Sequence, residues 1–238
     1  MGSASTSPSE RATSNGLEQL VAQIVDCRAC PRLVEWREKV AREKRAAFAS
    51  ETYWGRPVPP FGDPLGWLLV VGLAPAAHGG NRTGRMFTGD RSGDWLYASM
   101  HRTGFANQGT AVSNDDGLVL TNAYITAPVR CAPPANKPTL EERDTCMPYM
   151  VRELEILPNV AVIVALGKFA WDAALKVLSL SGCSIPRPKP KFGHLAEAEV
   201  GPYTLLGSYH PSQQNTFTGK LTEGMLDAVF ARARLLSS

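Results

Sequence analysis

Four cysteines carry the clearest chemical pattern in this 238-residue chain. Cys27-Arg-Ala-Cys30 is a C-x-x-C pair, and Cys131 and Cys146 form a second, wider pair. Thiolates are soft ligands, so the set suits a four-thiolate zinc site or a four-iron four-sulfur cluster. Residue type alone does not separate these. A thioredoxin-like redox pair would need the C-x-x-C directly after a strand, at the start of a helix. Here it interrupts a helical segment instead. Four soft ligands leave no open coordination position, so such a site is closed and structural. Cys183, beside Gly182, stands apart as a plain thiol.

Two polar residues lie in unusual loops. His210 opens His210-Pro211-Ser212, and Asn136 sits between Pro134 and Pro138. A histidine ring is donor or acceptor near neutral pH, and an amide presents donor and acceptor side by side. Each has an ordinary reading too: a core histidine at a His-Pro step, and a turn residue framed by prolines.

The elements that must position these groups follow from apolar patterning. Short β-like runs cover 67–73, 118–125, 160–166 and 203–209. Helical patterns cover 93–103, 139–157, 168–179 and 221–236, and Thr139 with Glu142 makes a capping-box start. Residues 17–47 are helical in period, broken at the Cys30–Pro31 step. Residues 52–64 hold Pro57, Pro59, Pro60 and Pro64 and read as a loop. Nearly all-apolar strands alternating with helices predict an α/β fold: a parallel central sheet with helices on both faces. One domain is expected over 16–238, with 1–15 (MGSASTSPSERATSN) as a disordered tail. In such sheets ligands bind beyond the carboxyl ends of the strands. That edge would receive Ala74-Pro75-Ala76-Ala77-His78-Gly79-Gly80, the Cys131–Asn136 loop and His210-Pro211-Ser212.

Composition narrows the class. Hydrophobic residues make up 44% and charged residues 20%, which suits a globular enzyme with a proper core. No apolar run approaches the ~20 residues that span a bilayer. The first fifteen residues lack a leader's apolar stretch, which points to the cytoplasm. In that compartment thiols stay reduced, which disfavours a disulfide framework. The net charge of +3 permits nucleic-acid binding without requiring it. Arg32, Arg37, Lys39, Arg42, Lys44 and Arg45 crowd one segment, but Glu35, Glu38 and Glu43 interleave with them as on a solvated helix face. Arg187, Lys189 and Lys191 alternate with prolines, as in an exposed loop.

Longer blocks add a resemblance. Gly72-Leu73-Ala74-Pro75-Ala76 is followed by Gly84-Arg85-Met86-Phe87-Thr88-Gly89-Asp90. Then come Arg130-Cys131-Ala132-Pro133-Pro134-Ala135-Asn136-Lys137-Pro138, His210-Pro211-Ser212-Gln213-Gln214-Asn215-Thr216 and Thr218-Gly219-Lys220-Leu221-Thr222. In this order, and together with the four cysteines, the blocks resemble the family five uracil-DNA glycosylases from about residue 27 to residue 225. The resemblance implies the three-layer α/β sandwich of the uracil-DNA glycosylase superfamily. It also implies a 4Fe–4S cluster on Cys27, Cys30, Cys131 and Cys146, with zinc as the alternative. The implied substrates are uracil and other deaminated bases such as hypoxanthine or xanthine, in double-stranded DNA with single-stranded DNA as an alternative, acted on by a monomer. Lys220 stands where the family pattern has arginine, which keeps the charge but loses bidentate geometry toward phosphate.

Breaking an N-glycosidic bond creates a cationic sugar and an anionic leaving base, so donors belong at the base and a carboxylate near the sugar. On the implied pattern His210 donates to a base carbonyl, Asn136 reads the base edge and Phe87 stacks on the extruded base. Ala74 occupies a base-pocket position where relatives in other glycosylase families keep a water-activating group, so Asp90 is the substitute catalytic carboxylate. Its ordinary reading is a cap for the helix that follows. Gly79, Gly80, Asn81 and Arg82, with Ser212, Gln213, Gln214 and Asn215, would contact DNA and help extrude the nucleotide. No lysine is assigned as a Schiff-base nucleophile, so the expected product is an uncut abasic site.

Two other classes compete. A non-enzymatic, metal-containing DNA-binding module would use the same loops as contacts only. A nucleotide-binding redox protein fits poorly, because no G-x-G-x-x-G follows the first strand and Pro75 stands where a phosphate cradle would form.

Overall fold

The computed structural model describes residues 7–237. Four central strands are those expected from patterning: β2 (Leu68–Val71), β3 (Ala123–Thr126), β4 (Val162–Leu166) and β6 (Tyr203–Ser208). They are almost wholly buried, and they pair in parallel in the order β3-β2-β4-β6. Two edge strands close the sheet antiparallel: β1 (Phe61–Gly62) against β3 and β5 (Glu197–Val200) against β6. Neither was expected. β1 is two residues long within the proline-rich loop, and β5 is a polar Glu-Ala-Glu-Val run of the kind that blunts an exposed edge. The 118–125 run pairs in the sheet only from Ala123 onward, with Leu120 making an isolated bridge to Ala106.

Side chains alternate across the sheet and build two cores. Leu68 and Val70 face a cluster with Leu96 and Met100 of α4 (Arg91–Arg102) and with Val229 and Phe230 of α8 (Glu223–Leu236). Leu69 and Val71 face the opposite cluster. There they meet Leu17 of α1 (Pro8–Val25), Met150 and Leu154 of α5 (Leu140–Ile156), and Trp171 of α6 (Lys168–Leu180). The result is a three-layer sandwich. Among the described residues no helix is long and apolar enough to cross a membrane.

The proposed tail over 1–15 is corrected from Pro8 onward. Ser7 caps α1 in a reciprocal capping box with Glu10, so the polar run 8–15 is helix rather than disordered. The part of that expectation covering 1–6 lies outside the described residues. The break at Pro31 is real: α2 (Pro31–Glu43) starts there, with Cys30 as its N-cap residue. The capping box at Thr139 and Glu142 opens α5 as expected. Two short helices escape the patterning, α3 (Gly80–Thr83) and α7 (Gln213–Phe217), and both follow strand ends.

Candidate active site

The chain runs from β2 to β3 on one side and then crosses to β4 on the other, which opens a crevice beyond the carboxyl ends of the strands. A cavity of about 570 Å³ occupies that edge. Ala74, Phe87, Asp90, Asn136, His210, Ser212, Gln213 and Gln214 all line it. The four residues given roles in base excision, Phe87, Asp90, Asn136 and His210, therefore share one wall system although they lie far apart in sequence.

Their backbones are held in unusual states. Phe87, Ala135 and Asn136 have φ of 52°, 52° and 55°, so half of the six non-glycine residues with positive φ among those described sit at this cavity. A left-handed phenylalanine is strained, and such strain concentrates at functional sites. Close packing fixes it: a Cβ on Gly72 would lie 2.8 Å from the Phe87 ring. Tyr97 donates to the Met86 carbonyl at 2.7 Å, and Arg85 is clamped by Asp116 at 2.8 Å through both carboxylate oxygens. The Phe87 ring centroid lies 6.2 Å from that of His210.

His210 follows β6, and its carbonyl accepts from Asn215 Nδ2 at 2.9 Å. The ring is partly open to the cavity yet deep below the protein surface, and burial lowers its pKa to about 4. At neutral pH it is an uncharged imidazole with an N–H to offer.

Asp90 is both a cap and a cavity group. Oδ1 accepts from the Gly93 amide at 3.0 Å as N-cap of α4. Oδ2 faces Gly79, where a Cβ would come within 2.1 Å of it. Desolvation pushes the carboxyl pKa up, opposed by the Gly93 and Ser92 amides. The cap expected for α4 is therefore present, on a carboxylate that also lines the cavity.

The expected DNA contacts divide. Ser212, Gln213 and Gln214 line the cavity, and Asn215 supports the His210 carbonyl. Asn81 is corrected: it is fully buried and donates to the Arg37 carbonyl at 3.2 Å, so it is not offered to DNA. Arg82 is also largely consumed within the protein, donating to His78 and Gly89 carbonyls, pairing with Glu51 and stacking on Phe48. One edge of Arg82 still lines a second cavity of about 780 Å³, which shares Asp90, Arg91 and Asn136 with the first. Sequence reasoning missed Arg91 and Lys137, which also line the first cavity. Each directly follows a residue that was singled out, and adjacency in a tight loop was the available signal.

The four cysteines form the second site. Cys27 and Cys30 come from the α1–α2 connection, Cys131 from the loop after β3 and Cys146 from α5, and all four line one small apolar cavity. Among the described residues no three His, Cys, Asp or Glu groups are set to hold a single metal ion. The thiols surround a space rather than a point. Burial, with the neighbouring thiols adding to it, pushes Cys131 up to about 11 and Cys146 up to about 12. Cys131 and Cys146 therefore stay protonated at neutral pH unless a cationic centre stabilises their thiolates.

Comparison with known proteins now bears on this geometry. Residues 59–234 match the family model described as the uracil DNA glycosylase superfamily. The chain belongs to that superfamily. As a member of it the protein is an enzyme, a hydrolase of N-glycosyl bonds. The superfamily match begins before β1 and spans all six strands. Similar relatives extend it to the N-terminal cysteines. The type-5 uracil-DNA glycosylase of Mycobacterium tuberculosis is 56% identical over 221 residues, covering 92% of this chain and 81% of its own. That of Mycobacterium leprae is 55% identical over 226 residues, covering 94% and 97%. That of Thermus thermophilus is 48% identical over 221 residues, covering 92% and 98%.

Proposed function

We propose that the protein extrudes uracil and other deaminated bases, such as hypoxanthine and xanthine, from DNA and hydrolyses their N-glycosyl bonds, leaving an uncut abasic site. One observation carries this reading: Phe87, Asp90, Asn136 and His210 line a single cavity at the carboxyl edge of the sheet. Phe87 offers a face on which an extruded base stacks, an interaction of about 1–3 kcal/mol. Asn136 presents its amide to the base edge. The neutral imidazole of His210 hydrogen-bonds the oxygen on which negative charge grows as the base departs. The Asp90 carboxylate, where its free oxygen faces the cavity, orients water or stabilises the cationic sugar. Ala74 cannot do so, having no polar atom. Extrusion costs a few kcal/mol and costs least at a mismatch, so U:G pairs are favoured substrates.

The second cavity, with Arg45, His78 and Arg91 along it, offers a path for the flanking strand. Cys27, Cys30, Cys131 and Cys146 fit a 4Fe–4S cluster: four soft donors around a cavity suit a polynuclear centre better than one zinc ion. When bound, the cluster supplies a cross-link between the α1–α2 connection, the β3 loop and α5, next to the Asn136 turn.

The test is single-turnover incubation of the purified protein with a uracil-containing duplex. Free uracil and an alkali-labile but uncut strand are expected, and borohydride should trap no covalent adduct at Lys137. Tight DNA binding with no free base would leave the binding module standing and end the enzymatic assignment of this cavity.

A further inference from the structure

Arg37 is a buried cation that base excision leaves unused. It sits on α2 at 2% exposure and is not among the residues that line the 570 Å³ cavity. Buried guanidinium groups normally face a carboxylate. Arg130, the other deeply buried arginine near the cysteines, does so by pairing with Glu153 at 2.5 Å. Arg37 instead donates through Nη1 to Cys131 Sγ at 2.9 Å and through Nη2 to the Cys27 carbonyl at 3.1 Å. Its Nε, also buried, has no partner. The group is thus aimed at two cysteines on different segments, and neither contact supplies the carboxylate its charge calls for.

A cluster held by four thiolates is anionic overall, and hydrogen bonds to ligand sulfur set its stability and potential. The same arginine is anchored from behind. Its backbone carbonyl accepts from Asn81, the first residue after Gly80 in α3, and α3 directly follows the Gly79 that packs on Asp90. We propose that Arg37 is the built-in counter-ion of the four-cysteine centre, a positioning residue seated by Asn81 so that its charge stays against Cys131. This rests on the cluster reading given above.

The experiment compares holoprotein of the wild type, R37M and R37K, purified without oxygen. Iron and acid-labile sulfide per chain are measured, with the midpoint potential and the rate at which a chelator bleaches the cluster. Wild type should hold about four irons per chain. R37M should bleach about 10- to 100-fold faster, and its potential should shift to more negative values because a cation that favours the added electron is gone. R37K, which keeps the charge, should recover most of the potential shift. If R37M does not fold, R37Q carries the same expectation, since it keeps a donor and loses the charge. A wild type without iron sinks the cluster reading itself. Iron-loaded wild type with an R37M or R37Q of unchanged potential and bleaching rate overturns the role of Arg37 alone, as does an R37K shifted as far as R37M.

Discussion

Replacing His210 by alanine removes one N–H from the wall of the base cavity, and the structure fixes how that loss should depend on pH. Burial lowers the imidazole pKa from 6.5 to about 4. At pH 7 only about one ring in a thousand carries a second proton. The shift corresponds to about 3 kcal/mol in favour of the neutral form, somewhat less after allowing for water in the cavity. A pre-aimed neutral donor to a developing oxyanion is worth roughly 2.7–4 kcal/mol. H210A should therefore lower the single-turnover rate of uracil release about 10²–10³-fold, with DNA affinity nearly unchanged. The wild-type rate should show no break at pH 6.5, because His210 is already neutral well below it. Any acid-side fall belongs to Asp90, whose pKa is raised by desolvation, and it should persist in H210A. Stability follows the same sign. The folded pKa lies below the unfolded one, so the contribution is intact above pH 6.5 and is lost as pH falls toward 4. Urea unfolding should show the wild type losing up to about 3 kcal/mol relative to H210A across that window. A wild-type break near pH 6.5 that disappears in H210A would refute the neutral-donor argument.

Other outcomes follow from the same packing. D90N should cut single-turnover excision about 10²–10⁴-fold while retaining DNA binding; equal loss of both would assign Asp90 to capping alone. G79A places a methyl 2.1 Å from Asp90 Oδ2 and should displace the carboxylate, lowering the excision rate about 10²-fold; wild-type activity would show that the free oxygen of Asp90 is not used. E153A leaves Arg130 buried without its partner and should destabilise the fold by about 3–5 kcal/mol in urea titrations, away from any catalytic group. C27S should lose iron and its brown absorbance, whereas stoichiometric zinc in colourless wild-type protein would replace the cluster.

Local pattern alone settled much of this protein. Four buried apolar runs predicted the central parallel strands, Thr139 with Glu142 predicted the start of α5, and the Cys30–Pro31 step predicted the break between α1 and α2. Such features depend on neighbours a few residues away, through side-chain period and capping chemistry. The motif blocks likewise carried the family and a set of candidate site residues. What they could not assign was the direction in which each polar side chain points. Asn81 and Asp90 belong to the same loop-rich stretch, yet one is sealed inside and the other faces the cavity. Arg37 read as one charge among several on a solvated helix, and only its contact with Cys131, 94 residues away, shows it to be buried. The left-handed backbone at Phe87, packed against Gly72 and His210, and the edge strand β1, paired with β3, also arise from partners distant in sequence. Burial and strain are properties of the packed chain: a polar group's role is decided by which surface closes over it, and those surfaces meet only when the sheet and its helices assemble.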